Sequence, residues 1–370
     1  MDIINQDCRY YRGDRPCVFH KREGVKCADC PHYSPFSIKI LVIKLDAVGD
    51  VLRTTSILPG LQKKYPDSHL TWISAAESRP LFLNNPYVDR ILPLQPDGLV
   101  SCLAESFDLS INLDTSPLSS SLQNLVRSGE KKGFTLDERG RVSTCNPEAE
   151  EWLRMSVFDD AKKANRKTAQ AIMAEIVGLP PPVGEIVLRL TPEEMRGAEL
   201  FAEEARLGRE KPVIGFNTGA GRRWKYKKWS REATLELGRR CAERLEARLL
   251  LYGGPAEEER NAWLLERGGG IFIDTGCHND LRTFFARLSL SDLLVTSDTL
   301  ALHAAVGLGK KVVAFFGPTS AAEIELYGRG EKIVAPVPCQ CCYLPDCDVK
   351  PNCMESITPQ MVFDAIQKII

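Results

Sequence analysis

The chain has 370 residues, 44% of them hydrophobic and 26% charged, with a formal net charge of −1 and a pI near 6.6. That length exceeds what one core usually organises and predicts two domains of roughly 150 to 200 residues each. The composition excludes a disordered chain, and the near-neutral charge, with no nucleic-acid motif, excludes a general nucleic-acid binder.

The first residues, MDIINQDCRYYRGDRPC, have neither the basic n-region nor the apolar h-region of a secretory signal. The expected location is the cytoplasm. No run of about 18 apolar residues could satisfy its backbone across a bilayer, which leaves only peripheral contact with the inner face of the cytoplasmic membrane. Residues 1–37 hold Cys8, Cys17, Cys27 and Cys30, with His20 and His32 nearby. Their spacing, C-x8-C-x9-C-x2-C, ends in a tight chelate pair. It suits structural zinc or iron, against free thiols in a reducing compartment or disulfides in an unusual one.

From residue 38 the pattern SIKILVIKLDAVGDVLRTTSILPGLQKKYP predicts strand, loop and helix. Further apolar runs at HLTWIS, RILPL and FDLSINLD, separated by helix-length segments, predict a parallel sheet with crossover helices over 38–183. A helix is expected from about Asp160 to Val177, followed by a linker at VGLPPPVGE, residues 177–185. A second Rossmann-like half, 184–338, follows from strands at PVIGFN, RLLLYGG, GIFID, DLLVTSD and KKVVAFFG and helices at 230–246, 255–266, 280–288 and 299–308. Residues 339–370 form a cysteine knuckle and a last helix, about 359–370, that can return to the first domain. Ligands of open α/β sheets sit beyond the carboxyl ends of the strands, so the loops there are the ones to inspect.

Val48-Gly49-Asp50 occupies the first such loop. Asp50 is either an N-cap or a general base facing the cleft, and Asp46 is a weaker candidate for the base. The segment NTGAGRRWKYKKWS, residues 217–230, combines glycines with cationic donors as a diphosphate site requires; the alternatives are a solvated basic loop or one touching an anionic membrane. The fingerprint GxxxxGK[ST] is absent, which excludes a P-loop NTPase. In DLLVTSDTLALHAAVGLG a strand ends at Ser297 and a helix begins near Thr299, whose free amides and positive dipole suit a diphosphate. His303, one turn on, is either structural or a ligand contact. In YGGPAEEER, Glu257 could bind a ribose diol while Glu258 and Glu259 are solvated helix-start acids. Gly317 of FFGPTS permits close packing against a nucleotide.

At the carboxyl end, Cys339, Cys342, Cys347 and Cys353 give C-x2-C-x4-C-x5-C, with Cys341 as a spare thiol. Four thiolates this near in sequence suit a closed tetrahedral zinc or iron site with a structural role.

Taken in order, ILVIKLDAVGDVL, KKWS, GGPAEE, SDTLALHAA, FFGPT and the terminal cysteines ending CM resemble glycosyltransferase family 9, the ADP-heptose:lipopolysaccharide heptosyltransferases and their relatives, over roughly 38–370. The resemblance implies a GT-B fold, with two Rossmann-like domains facing a cleft, and an inverting transfer without a catalytic metal. It implies Asp50 as general base, Lys227 as the lysine that neutralises the donor phosphates, Asp298, Thr299 and His303 as the donor-binding turn, and Glu257 as the ribose-binding acid. The implied partners are a nucleotide-diphosphate sugar such as ADP-heptose and a saccharide, lipid-linked or protein acceptor. One departure is Leu300, where the family commonly has glycine; it should hold the backbone farther from the donor. The rival readings are a non-catalytic nucleotide-sugar scaffold or sensor and a GT-B-type nucleotide-sugar epimerase.

Overall fold

The structure is a computed structural model that describes residues 3–182, 184–208, 210–221 and 225–370. Val183 of the expected linker and Arg222, Arg223 and Trp224 of the basic loop lie outside the described residues.

Two six-stranded sheets organise the chain. The first contains β1 (Ile38–Ile43), β2 (Ser68–Ser74), β3 (Arg90–Pro93), β4 (Ser106–Asn112), β5 (Arg127–Leu136) and β6 (Val142–Thr144), in the order β3-β2-β1-β4-β5-β6. The second contains β7 (Val213–Asn217), β8 (Arg248–Tyr252), β9 (Phe272–Asp274), β10 (Leu293–Ser297), β11 (Lys311–Phe316) and β12 (Gly330–Val334), in the order β12-β11-β10-β7-β8-β9. All neighbours in the second sheet run parallel; in the first only β6 is antiparallel. Each sheet therefore reverses its strand order once, between β1 and β4 and between β7 and β10. A crevice opens at the carboxyl ends of such a pair, because the flanking connections leave to opposite sides.

The central strands read as unbroken apolar runs because helices cover both faces. Ile40, Leu41, Val42 and Ile43 of β1 and Leu293 and Leu294 of β10 are fully buried. One core runs through both halves and includes Val42, Leu52, Leu302 and Phe316. Its continuity comes from the helix Val48–Thr54, after β1, packing on the helix Leu300–Gly307, after β10.

Two expectations are corrected. The helix expected from Asp160 to Val177 is two, Asp159–Ala164 and Ala169–Val177. Asn165 breaks it by bonding both the amide and the carbonyl of Lys167, each at 2.9 Å, and Thr168 then caps the second helix at the amide of Ala171. Such local side-chain bonds compete with helical ones. The last helix, Pro359–Ile369, packs on the second half and not the first: Val362, Phe363 and Ile366 join Leu237, Cys241 and Phe315 in one cluster. Strands β5 and β6 were not expected, since RSGEKKGFTL carries no apolar alternation.

The linker is fastened by a buried hydroxyl. Thr55 Oγ1 accepts from the Val187 amide at 2.8 Å and donates to the Leu52 carbonyl at 2.6 Å. Thr55→Val keeps the shape and strands that amide, so denaturant unfolding should show a loss of about 1–3 kcal/mol.

Candidate active site

The crevices of the two sheets open onto one cleft of about 850 Å³. From the first half it is lined by Gly49, Asp50 and Arg53; from the second by Asn217, Gly219, Lys227, Gly253, Gly254, Asp298, Thr299 and His303. Asp46 is exposed and does not line it.

Asp50 is not an N-cap. Ala47 holds that position and Asp50 sits in the first turn of the helix Val48–Thr54, where its charge also meets the helix dipole favourably. Its carboxylate pairs with Arg53 Nη2 at 2.9 Å, the i, i+3 arrangement that faces two side chains across one turn. Burial pushes the Asp50 carboxyl up, yet Arg53, Lys44 and His303 outweigh it and hold the group below its ordinary range, so it is ionised at neutral pH.

Opposite it, Lys227 Nζ donates to the Asp298 carboxylate at 2.8 Å and to the Asp298 carbonyl at 3.1 Å. Desolvation would raise the pKa of the partly buried Asp298, but Lys227, then His303, bring it down to about 2. Asn217 ties the two loops of this sheet's crevice, its Nδ2 reaching the carbonyl of Gly219 at 3.1 Å, Thr296 Oγ1 at 2.9 Å and Thr299 Oγ1 at 3.3 Å. With its hydroxyl so engaged, Thr299 stands at the N-cap of the helix Leu300–Gly307 without capping it by its side chain. The head of that helix lines the cleft through Leu300 and Ala301, and helix amides left by an unmade cap suit an anion.

His303 is buried, and its Nδ1 has no hydrogen-bond partner; the same is true of Thr319 Oγ1 on the far wall. Buried polar atoms are rarely left so, and both line the cleft. Burial and then Arg53 lower the His303 pKa to about 4, so the ring is neutral near pH 7.

The remaining predicted residues lie behind these. Glu257 is 4% exposed; it accepts from Lys228 Nζ at 2.6 Å and from the Gly254 amide at 3.2 Å, and its carboxylate stands against Gly219. It braces two cleft-lining glycine turns without lining the cleft. Gly317 faces away: a Cβ there would meet Cys353 Sγ at 2.4 Å, so its glycine serves the cysteine segment. Leu300 is partly buried against the shared core at the edge of the cleft, and a Cβ added to the neighbouring Gly49 would lie 3.4 Å from Leu300 Cα.

The cysteines are free thiols, and among the described residues no three His, Cys, Asp or Glu side chains are gathered so as to hold a metal ion. Cys8, Cys17, Cys27 and Cys30 line a cavity of about 340 Å³ at the opposite end of the first sheet, where Arg9 of the same segment bonds the Ser68 carbonyl at the start of β2. Cys339, Cys342 and Cys347 lie near Cys353, and their charges add to burial in pushing that thiol up to about 11. Neither set brings a thiol to the cleft.

Arg53, Glu323, Tyr343 and Lys162 also line the cleft and were missed. Arg53 was within reach, three residues beyond Asp50 on a predicted helix. The other three come from segments with no motif.

Residues 100–351 match the glycosyltransferase family 9 (heptosyltransferase) pattern. The chain belongs to glycosyltransferase family 9. It is 24% identical over 307 residues to lipooligosaccharide heptosyltransferase 2 of Haemophilus ducreyi, covering 76% of this chain and 84% of that one. Among solved structures it resembles the family 9 glycosyl transferase of Veillonella parvula, with TM-score 0.73, 18% identity and coverage of 90% of this chain and 97% of that one. It also resembles the E. coli ADP-heptose lipopolysaccharide heptosyltransferase II, with TM-score 0.65, 20% identity and coverage of 90% and 98%. The fold is thus GT-B and the protein a glycosyltransferase. No helix among the described residues of this family 9 chain is long and apolar enough to cross a membrane.

The two shifted groups fix how stability responds to acid. His303, lowered from 6.5 to about 4, binds its proton in the unfolded chain first, so stability falls as pH drops from about 6.5 to about 4. Asp298, lowered from 3.8 to about 2, contributes stability above 3.8 that is lost as pH falls toward 2. Chemical denaturation at a series of pH values should show a shallower loss between pH 6.5 and 4 in His303→Gln than in the parent.

Proposed function

We propose that this family 9 enzyme transfers heptose from ADP-heptose to a sugar hydroxyl of a lipopolysaccharide core, by a single inverting displacement. The observation that carries the reading is the pairing across one cleft of an ionised carboxylate, Asp50, with a cationic and amide-rich wall made by Lys227 and the head of the helix Leu300–Gly307. The family and the heptosyl transfer named for its curated relatives support the sugar and the acceptor class.

In this reading the donor diphosphate lies along Lys227, Thr299 and the first-turn amides of that helix, and the Gly219 and Gly253–Gly254 turns admit the nucleotide. The pairing of Lys227 with Asp298 holds the ammonium in place before the donor arrives, which reduces the ordering needed in the transition state. The acceptor hydroxyl oxygen attacks the anomeric carbon while the bond to the diphosphate oxygen breaks, and the hydroxyl proton passes to Asp50. Because Arg53 keeps Asp50 a weak base, the proton moves late, when the new C–O bond has made the hydroxyl acidic. The growing charge on the departing diphosphate is met by Lys227 and the amides, so this step asks nothing of a metal ion.

Two replacements separate the roles. Asp50→Asn should abolish transfer and leave ADP affinity, measured by calorimetry, within about twofold of the parent; persistent transfer would reduce Asp50 to a structural acid. Lys227→Ala should weaken ADP binding by about tenfold or more, the scale of a lost charge-assisted hydrogen bond. Unchanged ADP affinity in that variant would remove the diphosphate from this wall.

A further inference from the structure

The described residues ahead of β1, 3–37, take no part in either sheet, and none of them is buried. The segment nevertheless closes on itself. Its ends are drawn together by a bridge between Cys8 and Pro35, with the Arg9 amide on the Ser34 carbonyl at 2.8 Å and the Phe36 amide on the Asp7 carbonyl at 2.9 Å. A loop of this length without a core of its own is normally held in one shape by disulfides or a metal.

Inside the loop lies the cavity of about 340 Å³, and all four cysteines of the segment line it. They reach it from three places: Cys8 at the bridge, Cys17 at the N-cap of the helix Val18–Glu23, and Cys27 with Cys30 across the short turn Cys27–Asp29. Each is half-buried and each is a free thiol. Cys17 Sγ accepts from the His20 amide at 3.4 Å, and hydrogen bonds of this kind to sulfur are one of the means by which proteins tune thiolate-held iron. Ile4, Tyr10, Phe19 and Val25 give the wall an apolar cover, with the rings of Tyr10 and Phe19 edge to face at 4.8 Å.

The void decides which metal group suits these thiols. A single zinc ion draws four sulfurs to within about 2.3 Å of one point and leaves no space between them. Here the four thiols stand round an open space, and among the described residues no three ligating side chains close on a point. A cube of four irons and four sulfides binds one thiolate at each iron, on separate corners, and so takes the wider setting. Thiolates are also the donors that such a cluster prefers over oxygen or nitrogen ligands.

We propose that residues 3–37 bind a four-iron, four-sulfide cluster through Cys8, Cys17, Cys27 and Cys30. The cluster arrives preassembled on a thiol carrier. Four iron–sulfur bonds to the carrier break and four to these cysteines form, the departing carrier thiolates take up the protons that the cysteines release, and no oxidation state changes. At the far end of the first sheet from the cleft, the cluster cross-links the segment and stands apart from the transfer chemistry.

The test is elemental and spectroscopic, on the full chain purified without air from cells supplied with iron. Comparing the parent with the double variant Cys27→Ser, Cys30→Ser cancels any metal held by the carboxyl-terminal cysteines. The parent should exceed the variant by about four irons and about four acid-labile sulfides per chain, and should carry a brown visible absorption that the variant lacks in the same proportion. Cys17→Ser covers the case of a double variant that fails to fold, because serine keeps the helix cap while removing one thiolate. It should lower or shift that absorption while circular dichroism stays that of the parent. The proposal is overturned if parent and double variant hold equal iron and sulfide, or if they differ by a single zinc ion and no sulfide. It is overturned equally if Cys17→Ser leaves metal, sulfide and absorption as they are in the parent.

Discussion

Gly49 meets the head of the helix Leu300–Gly307 with its Cα hydrogens pointing at the Leu300 backbone and the His303 ring, and a Cβ in that place would already be at 3.4 Å from each. The two helices meet there at ordinary contact distance, and the charged groups of the cleft gather around that contact. His303 and Asp298 act on Asp50, and Lys227, His303 and Arg53 act on Asp298, across this contact. Alternation of sign keeps both carboxylates ionised despite burial, while the ring between them stays neutral. The cleft thus carries one committed cation and a helix terminus on one wall and an ionised carboxylate on the other.

Much of this was legible because the physics was local. Strand β1 and the loop after it announce themselves by IKILVI followed by a glycine, and β10 with its helix by LLVTS followed by a polar pair. The order of apolar runs then implied parallel sheets, and parallel sheets implied where a ligand sits. The distinction between base and cap at Asp50 was open at that stage, because a carboxylate one residue outside or inside a helix reads alike; the helix start at Val48 resolves the position.

What stayed hidden depends on contacts between distant segments. Glu257 had the right composition for a ribose contact, yet Lys228 and the Gly254 amide occupy it, and neither bond has a sequence signature. Gly317 looked like its neighbours in other strand-end turns, and only the seating of Cys353 against it shows which side it serves. Lys162 lies well over a hundred residues from Glu323 and Tyr343, and the three gather because the loop after β11 carries the cysteine segment back toward the helices that follow the first sheet. The backbone of the cysteine segment is bonded to that loop through the Gly317 and Pro318 carbonyls.

The last helix, Pro359–Ile369, docks beside the helix Arg231–Arg244 and so ends the chain in the half to which its preceding strand belongs. Among the described residues the polypeptide passes from the first half to the second near Val187. Beside that tether the halves touch where Val48–Thr54 meets Leu300–Gly307, where Arg282 donates to the Pro80 carbonyl at 3.2 Å and where the Ala169 amide donates to the Glu323 carbonyl at 2.9 Å. The tether's bonded threonine directly follows the helix that carries Asp50, so the link between the halves and the carboxylate of the cleft share one short stretch of chain.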